Sequence, residues 1–136
     1  MGSYPFAVHV VRVADRRDIK IARGRSPVWS PDGRRLVFLW NETTSAVINA
    51  DGTHLHPLDP RAIDPYGFGT AWSPGGRAIA YAREGVDGNY ELALARPDGT
   101  HRRLLTHEKK DVEVGPIYWS RDGESILYSR LLQVGE

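Results

Sequence analysis

Trp29-Ser30-Pro31-Asp32-Gly33 joins a tryptophan to a turn, and the chain writes it three times. Trp72 to Gly76 reads WSPGG and Trp119 to Gly123 reads WSRDG, so the tryptophans stand 43 and 47 residues apart. Self-similarity at a period of about 40–50 residues constrains the fold before any single residue does. Behind each copy comes an apolar run: RRLVFLW (Arg34 to Trp40), RAIAYAR (Arg77 to Arg83) and SILYSR (Ser125 to Arg130). Two more segments follow in matching places, AVINADGTHLHPL from Ala46 to Leu58 and LALARPDGTHRRLL from Leu92 to Leu105. A weaker copy, AVHVVRVADRRDIKIA from Ala7 to Ala22, has Arg16 where the others have the turn glycine.

The local chemistry is β. In Ser30-Pro31-Asp32-Gly33 the proline presets φ, aspartate suits the next place, and glycine takes the left-handed position that closes a hairpin. Asp51-Gly52 and Asp98-Gly99 give each repeat a second hairpin. The runs between turns are short and rich in Val, Ile, Leu, Tyr and Phe. No segment sustains a 3.6-residue period with caps, so no substantial helix is expected. One unit is then four antiparallel strands, a to d. Strand a ends at the tryptophan and strands c and d flank the Asp-Gly turn. A four-stranded unit of about 40–45 residues is a propeller blade. A β-sandwich is the competing all-β reading, but it does not require turn sequences to recur at this spacing.

W-S-P-D-G before an apolar strand, then a strand leading to A-D-G-T and a basic stretch ending in Leu, resembles the TolB-like (WD-repeat-like) β-propeller repeat. The resemblance runs from Ala7 to Arg130. Three positions depart from it: Gly75 for the turn aspartate, Arg121 for the turn proline, and Arg16. The blade motif rests on Trp29, Asp32, Gly33, Trp72, Gly76, Trp119, Asp122 and Gly123. Strands c–d of a split blade are expected over 6–22, complete blades over 27–58 and 70–105, and strands a–b of a split blade over 116–131.

The resulting order is c-d, a-b-c-d, a-b-c-d, a-b. An open arc of this kind leaves both end faces wet and an unpaired edge on its last strand, and such edges recruit partners. The carboxy-terminal a–b pair of one copy can accept the amino-terminal c–d pair of another. Two copies would then close a ring about a two-fold axis, and the resemblance implies six blades. The expectation is a homodimer closed by strand exchange, and a piece of a longer propeller chain is the alternative.

The 136 residues suffice for one domain. With 18 basic and 17 acidic residues, the formal net charge is +1. That balance gives no electrostatic case for nucleic acid or an anionic membrane. No apolar run reaches the roughly 20 residues of a membrane helix. The first residues lack the pattern of a secretory signal, so the compartment is unknown. The resemblance implies a periplasmic or extracytoplasmic one. There is no cysteine, which excludes disulfides and thiolate chemistry.

Loops b–c and d–a share one face and differ between repeats: Asn41 to Ser45, Asp59 to Gly69, Glu84 to Asn89, His107 to Gly115, and a short Arg23 to Ser26. Variable loops on a rigid scaffold commonly carry binding. Tyr66 and Phe68, with Asp64, Glu84, Asp87, His107 and Lys109, are the candidate partner-binding residues. The resemblance implies docking of a protein or peptide at the tunnel mouth. Aromatics that merely cover a gap between blades, and a solvated charged loop, are the bland readings. His54 and His56 stand at i and i+2 on strand d and could share a metal, but no further ligand accompanies them. His101 repeats the place of His54, which suggests a surface position. Asp87 to Glu91 lacks the length and terminal acid of an EF-hand loop. Asn41-Glu42-Thr43 fits a glycosylation sequon. No metal or other cofactor is expected. There is no G-x-S-x-G elbow, H-E-x-x-H, phosphate-binding glycine loop or cysteine nucleophile. A non-catalytic scaffold is therefore expected, with a propeller hydrolase or lyase as the alternative.

Overall fold

The computed structural model describes residues 6–40, 44–62, 69–85, 90–106 and 113–131. Among these residues the secondary structure is entirely β. Strands β1 (Ala7–Val11) and β2 (Asp18–Arg23) form an antiparallel amino-terminal pair. Strands β3 (Arg25–Trp29), β4 (Arg35–Leu39), β5 (Ser45–Asn49) and β6 (His56–Pro57) follow as a four-stranded sheet in chain order. Strands β7 (Thr70–Trp72), β8 (Ile79–Glu84), β9 (Tyr90–Ala95) and β10 (Arg103–Leu104) repeat that arrangement. Strands β11 (Glu113–Trp119) and β12 (Ile126–Leu131) close the series as a carboxy-terminal pair. An up-and-down sheet of four antiparallel strands is the plan of a propeller blade.

The apolar runs are continuous because both faces of the middle strands are covered. On β4, Leu36 and Phe38 pack with Val8, Ala46 and Ile48 toward the amino-terminal pair. Val37, between them, points the other way and joins Val47, Leu58, Trp72, Ile79 and Tyr81 between the two four-stranded sheets. On β8 the alternation repeats, with Ala80 turned toward Ile117, Ile126 and Tyr128 of the carboxy-terminal pair. Each interface thus takes alternate residues from facing strands, which is the period-two geometry of a pleated strand. Burying one such side chain is worth roughly 1.5–3 kcal/mol.

Several expected boundaries shift. Glu84, placed in a loop, is the last residue of β8 and pairs with Tyr90. Gly115 belongs to β11 and Ser45 to β5, so the loops before them are shorter than expected. Arg23 and Arg25 both lie in strands, which leaves Gly24 as the whole connection from β2 to β3. Gly24 has φ +144, and a Cβ there would stand 2.5 Å from the Leu39 carbonyl oxygen. Only glycine fits where two backbones pass so closely.

The turn from β1 to β2 is one residue longer than its counterparts. Arg12 N–H donates to the Arg17 carbonyl, whereas Asn49 donates to Thr53 and Arg96 to Thr100. The extra residue is absorbed around Val13, which is fully exposed. Arg16 adopts φ 63 in the place of the turn glycine, a conformation that costs a non-glycine residue about 1–2 kcal/mol. The neighbouring Asp15 carboxylate accepts from Arg12 and from the Arg17 N–H.

Candidate functional site

The repeated pentapeptide builds a turn with an internal lock. Gly33 N–H donates to the Ser30 carbonyl at 2.9 Å, and Gly33 has φ 71. Ser30 is buried, and its hydroxyl donates to Asp32 at 2.7 Å while accepting from Arg35 N–H at 3.0 Å. The third copy repeats this set through Ser120, Asp122, Gly123 and Ser125. In the second copy Ser73 keeps its bond from Ala78 N–H and Gly76 closes the turn, but Gly75 offers no carboxylate. The Ser30 and Ser120 hydroxyls, helped by backbone N–H groups, hold Asp32 and Asp122 below the usual carboxylate range. Thr53 and Thr100 do the same for Asp51 and Asp98 at the other turns.

The tryptophans add a ladder that runs from repeat to repeat. Trp72 Nε1 donates to the Val28 carbonyl at 3.2 Å, and Trp119 Nε1 donates to the Ala71 carbonyl at 2.9 Å. Val28 and Ala71 each immediately precede the previous tryptophan, so both indoles reach back by one repeat. Arg35 stacks over the Trp72 ring at 5.4 Å. Strands β3, β7 and β11 together line a concave groove of about 650 Å³, with Trp29, Trp72, Trp119, Tyr118 and the turn prolines Pro31 and Pro74 on its wall. Its chemistry suits an apolar or aromatic group.

The two ends of the arc are unlike its middle. Trp72 is 7% exposed but Trp29 is 50% exposed. Val37, Ala80 and Leu127 each stand eight residues after their tryptophan; the first two are 0% exposed and Leu127 is 73% exposed. Leu58 and Leu105 are likewise equivalent, at 0% and 40%. At the amino-terminal end, His9 and Asp18 form a surface pair at 2.8 Å.

Of the candidate partner-binding residues, Glu84 is exposed at the end of β8. Asp64, Tyr66, Phe68, Asp87, His107 and Lys109 lie outside the described residues, as does the sequon at Asn41. The pair His54 and His56 differs from expectation. His54 has φ 58 and precedes β6 rather than lying within it, and His101 repeats this at φ 55. His56 Nδ1 faces the His54 carbonyl at 3.0 Å and Nε2 faces the Pro97 carbonyl at 2.8 Å. The imidazole therefore stands between the two four-stranded sheets with each ring nitrogen against a backbone carbonyl, and donates through the nitrogen that carries the proton. Among the described residues no three His, Asp or Glu side chains gather as a metal site.

One polar cluster was not visible in the sequence. Asp59, expected simply to begin the long loop, is 1% exposed between the two four-stranded sheets. Tyr81 Oη donates to its Oδ2 at 2.6 Å and Arg61 N–H to its Oδ1 at 2.9 Å. Arg83 Nε stands 3.1 Å from Oδ2, off-line for a hydrogen bond, so the contact is chiefly electrostatic. Arg102 Nη1 lies 3.8 Å from Oδ1. Burial, and then the bond to Asp59, push the Tyr81 phenol well above its ordinary pKa. The Glu84 N–H donates to the Arg61 carbonyl and Ala62 bridges to Arg83, so the start of the loop is fixed to β8. Only a three-dimensional arrangement brings Asp59, Tyr81 and Arg102 together.

No family model matches the sequence, and no curated protein matches it. Solved structures do. A putative TolB from Agrobacterium tumefaciens shares 23% identity at a TM-score of 0.66, covering 93% of this chain and 46% of that one. TolB from Acinetobacter baumannii shares 13% identity at a TM-score of 0.64, covering 88% of this chain and 31% of that one. The tricorn protease shares 13% identity at 0.66, covering 90% and 13% respectively. The chain thus spans less than half the length of each of these structures, and what they have in common with it is the β-propeller fold.

Proposed function

Since the chain has a TolB-like β-propeller fold, we propose that it is a non-catalytic scaffold that completes a six-bladed ring by pairing with a second copy and binds a protein or peptide on its variable-loop face. The observation that carries closure is the contrast between equivalent positions: Val37 and Leu58 are sealed while Leu127 and Leu105 are open. Leaving several large apolar side chains wet is costly against a net stability of only about 5–15 kcal/mol. A second copy supplies both missing halves at once, since it carries strands c–d where the first lacks them. Binding at the variable face is supported by the fixing of Asp59 to Ala62, which lead into residues 63–68, against β8.

Light scattering at micromolar concentration tests closure. The expected mass is about twice the 15.2 kDa of one chain, and a stable folded monomer overturns the reading. Partner binding is tested by pull-down after replacing 63–68 with Gly-Ser, leaving Asp59 and Ala62 in place because both are buried. Loss of captured partner with the dimer intact is the expected result. Capture unchanged by the loop replacement overturns binding at that loop.

A second reading, part of a longer propeller protein or propeller enzyme, is favoured by the share of the neighbours covered, 46% or less. Under it the same open faces are covered by further blades of the same chain, and the isolated 136-residue chain stays monomeric.

A further inference from the structure

Closure by a second copy, the reading this step rests on, leaves open how the two chains meet. The geometry points to one register, and we infer that β12 of one copy pairs antiparallel with β1 of the other, with Leu127 directly opposite the partner's Val10. The chain contains two worked examples of the joint between strands b and c. In the first sheet Val37 stands opposite Val47 and Phe38 opposite Ala46; in the second, Ala80 stands opposite Leu94 and Tyr81 opposite Ala93. Leu127 holds the place of Val37 and Ala80.

The place of Val47 on β1 is held by Val10. Arg12 opens the β1–β2 turn as Asn49 opens the β5–β6 turn, and both Val10 and Val47 lie two residues before it. Facing agrees, because Val10 packs toward the following sheet, as Val47 does. The composite sheet then sets Leu127 opposite Val10, Tyr128 opposite His9 and Ser129 opposite Val8, all across the two chains. Leu127 would enter the cluster of Leu36 and Phe38 of the partner, which is the cover it lacks in a single chain.

The tryptophan ladder extends across the same joint. The Trp72 and Trp119 indoles each donate to the carbonyl of the residue before the previous tryptophan. For Trp29 the previous tryptophan in the ring is the partner's Trp119, so the acceptor is the carbonyl of the partner's Tyr118. Strand pairing and ladder then join the same two chain ends.

A cysteine-free chain makes the test direct. In the first sheet, Ala50 N–H donates to the Arg34 carbonyl, which makes Val37 and Val47 a non-hydrogen-bonded pair. Such pairs have Cα atoms about 4.5 Å apart, within disulfide range. Val10→Cys with Leu127→Cys should give a covalent dimer on oxidation, while Val10→Cys with Ser129→Cys, which reads a two-residue slip, should not. If the first pair fails to fold, Ala7→Cys with Arg130→Cys reads the same register at exposed positions. Trp29→Phe should weaken the dimer about 5-fold per joint, the worth of one hydrogen bond. A dimer that cross-links through Ser129, or through neither pair, overturns the register and leaves the dimer standing. A parent chain that is monomeric by light scattering, with no cross-link, overturns both.

Discussion

Replacing Asp59 by alanine should destabilise the fold by about 3 kcal/mol, although the residue belongs to no strand. The carboxylate is sealed between two sheets and accepts from Tyr81 Oη at 2.6 Å and Arg61 N–H at 2.9 Å, with Arg83 at 3.1 Å. Breaking a buried charged pair by removing one member costs about 3–5 kcal/mol. The lower end applies, because Arg83 and Arg102 are partly exposed and can take up water once released. Tyr81→Phe removes one hydrogen bond to a charged acceptor, worth about 1.5–3 kcal/mol. The two changes share that bond, so the double variant should fall short of their sum by about 1–2 kcal/mol. Asp59→Asn keeps the shape and an acceptor for Tyr81 but loses the charge, and should fall between the alanine variant and the parent. Urea unfolding followed by circular dichroism, at one fixed protein concentration, measures the four variants against the parent. A cost below about 1 kcal/mol for the alanine variant, or strict additivity in the double, would refute the buried network as described.

Gly24→Ala should cost at least 2–3 kcal/mol, since its Cβ meets the Leu39 carbonyl at 2.5 Å and its φ is +144; thermal unfolding reads this. Gly75→Asp should do the reverse and stabilise by about 1 kcal/mol, because it restores the carboxylate partner of Ser73 in open space and stiffens the unfolded chain. No gain in urea midpoint would count against the turn lock. Stability should fall in acid: Asp32, Asp51, Asp98 and Asp122 are held below the usual range when folded. Their contribution is present above the unfolded aspartate value of about 4 and is lost as pH drops through the lower folded values. Tyr81 works at the other extreme, contributing fully below the ordinary tyrosine value and losing its contribution as pH rises through the higher folded one. Denaturation series from neutral pH toward each limit check both signs, and a stability that rises in either direction would contradict them.

The turns were legible in the sequence because their chemistry is local. Ser30, Asp32 and Gly33 act on atoms at most five residues away, so five letters carry the whole structure. The Asp59 cluster was not, because its side-chain partners lie 22 and more residues distant and nothing in the loop composition marks the aspartate as buried. The histidines misled for a related reason. Alternation in a strand would put His54 and His56 on one side, but the left-handed backbone at His54 ends that alternation before the strand begins. The longer β1–β2 turn was hidden because Ala14-Asp15 matches Ala50-Asp51 by letter while the strand before it is displaced by one residue. Most of the proposed partner-binding side chains lie outside the described residues, so their grouping rests on loop variability alone.

The tryptophan ladder also has a sense of rotation. The Trp72 and Trp119 indoles donate to the unit behind, and the carbonyls of Val28 and Ala71 accept from the unit ahead, so the arc has a head and a tail. Two heads brought together present donor to donor, and two tails present acceptor to acceptor. Under the proposed closure, unlike ends would meet at both joints and two copies would leave no end open. The direction that orders the repeats within one chain would then also set how two copies can meet.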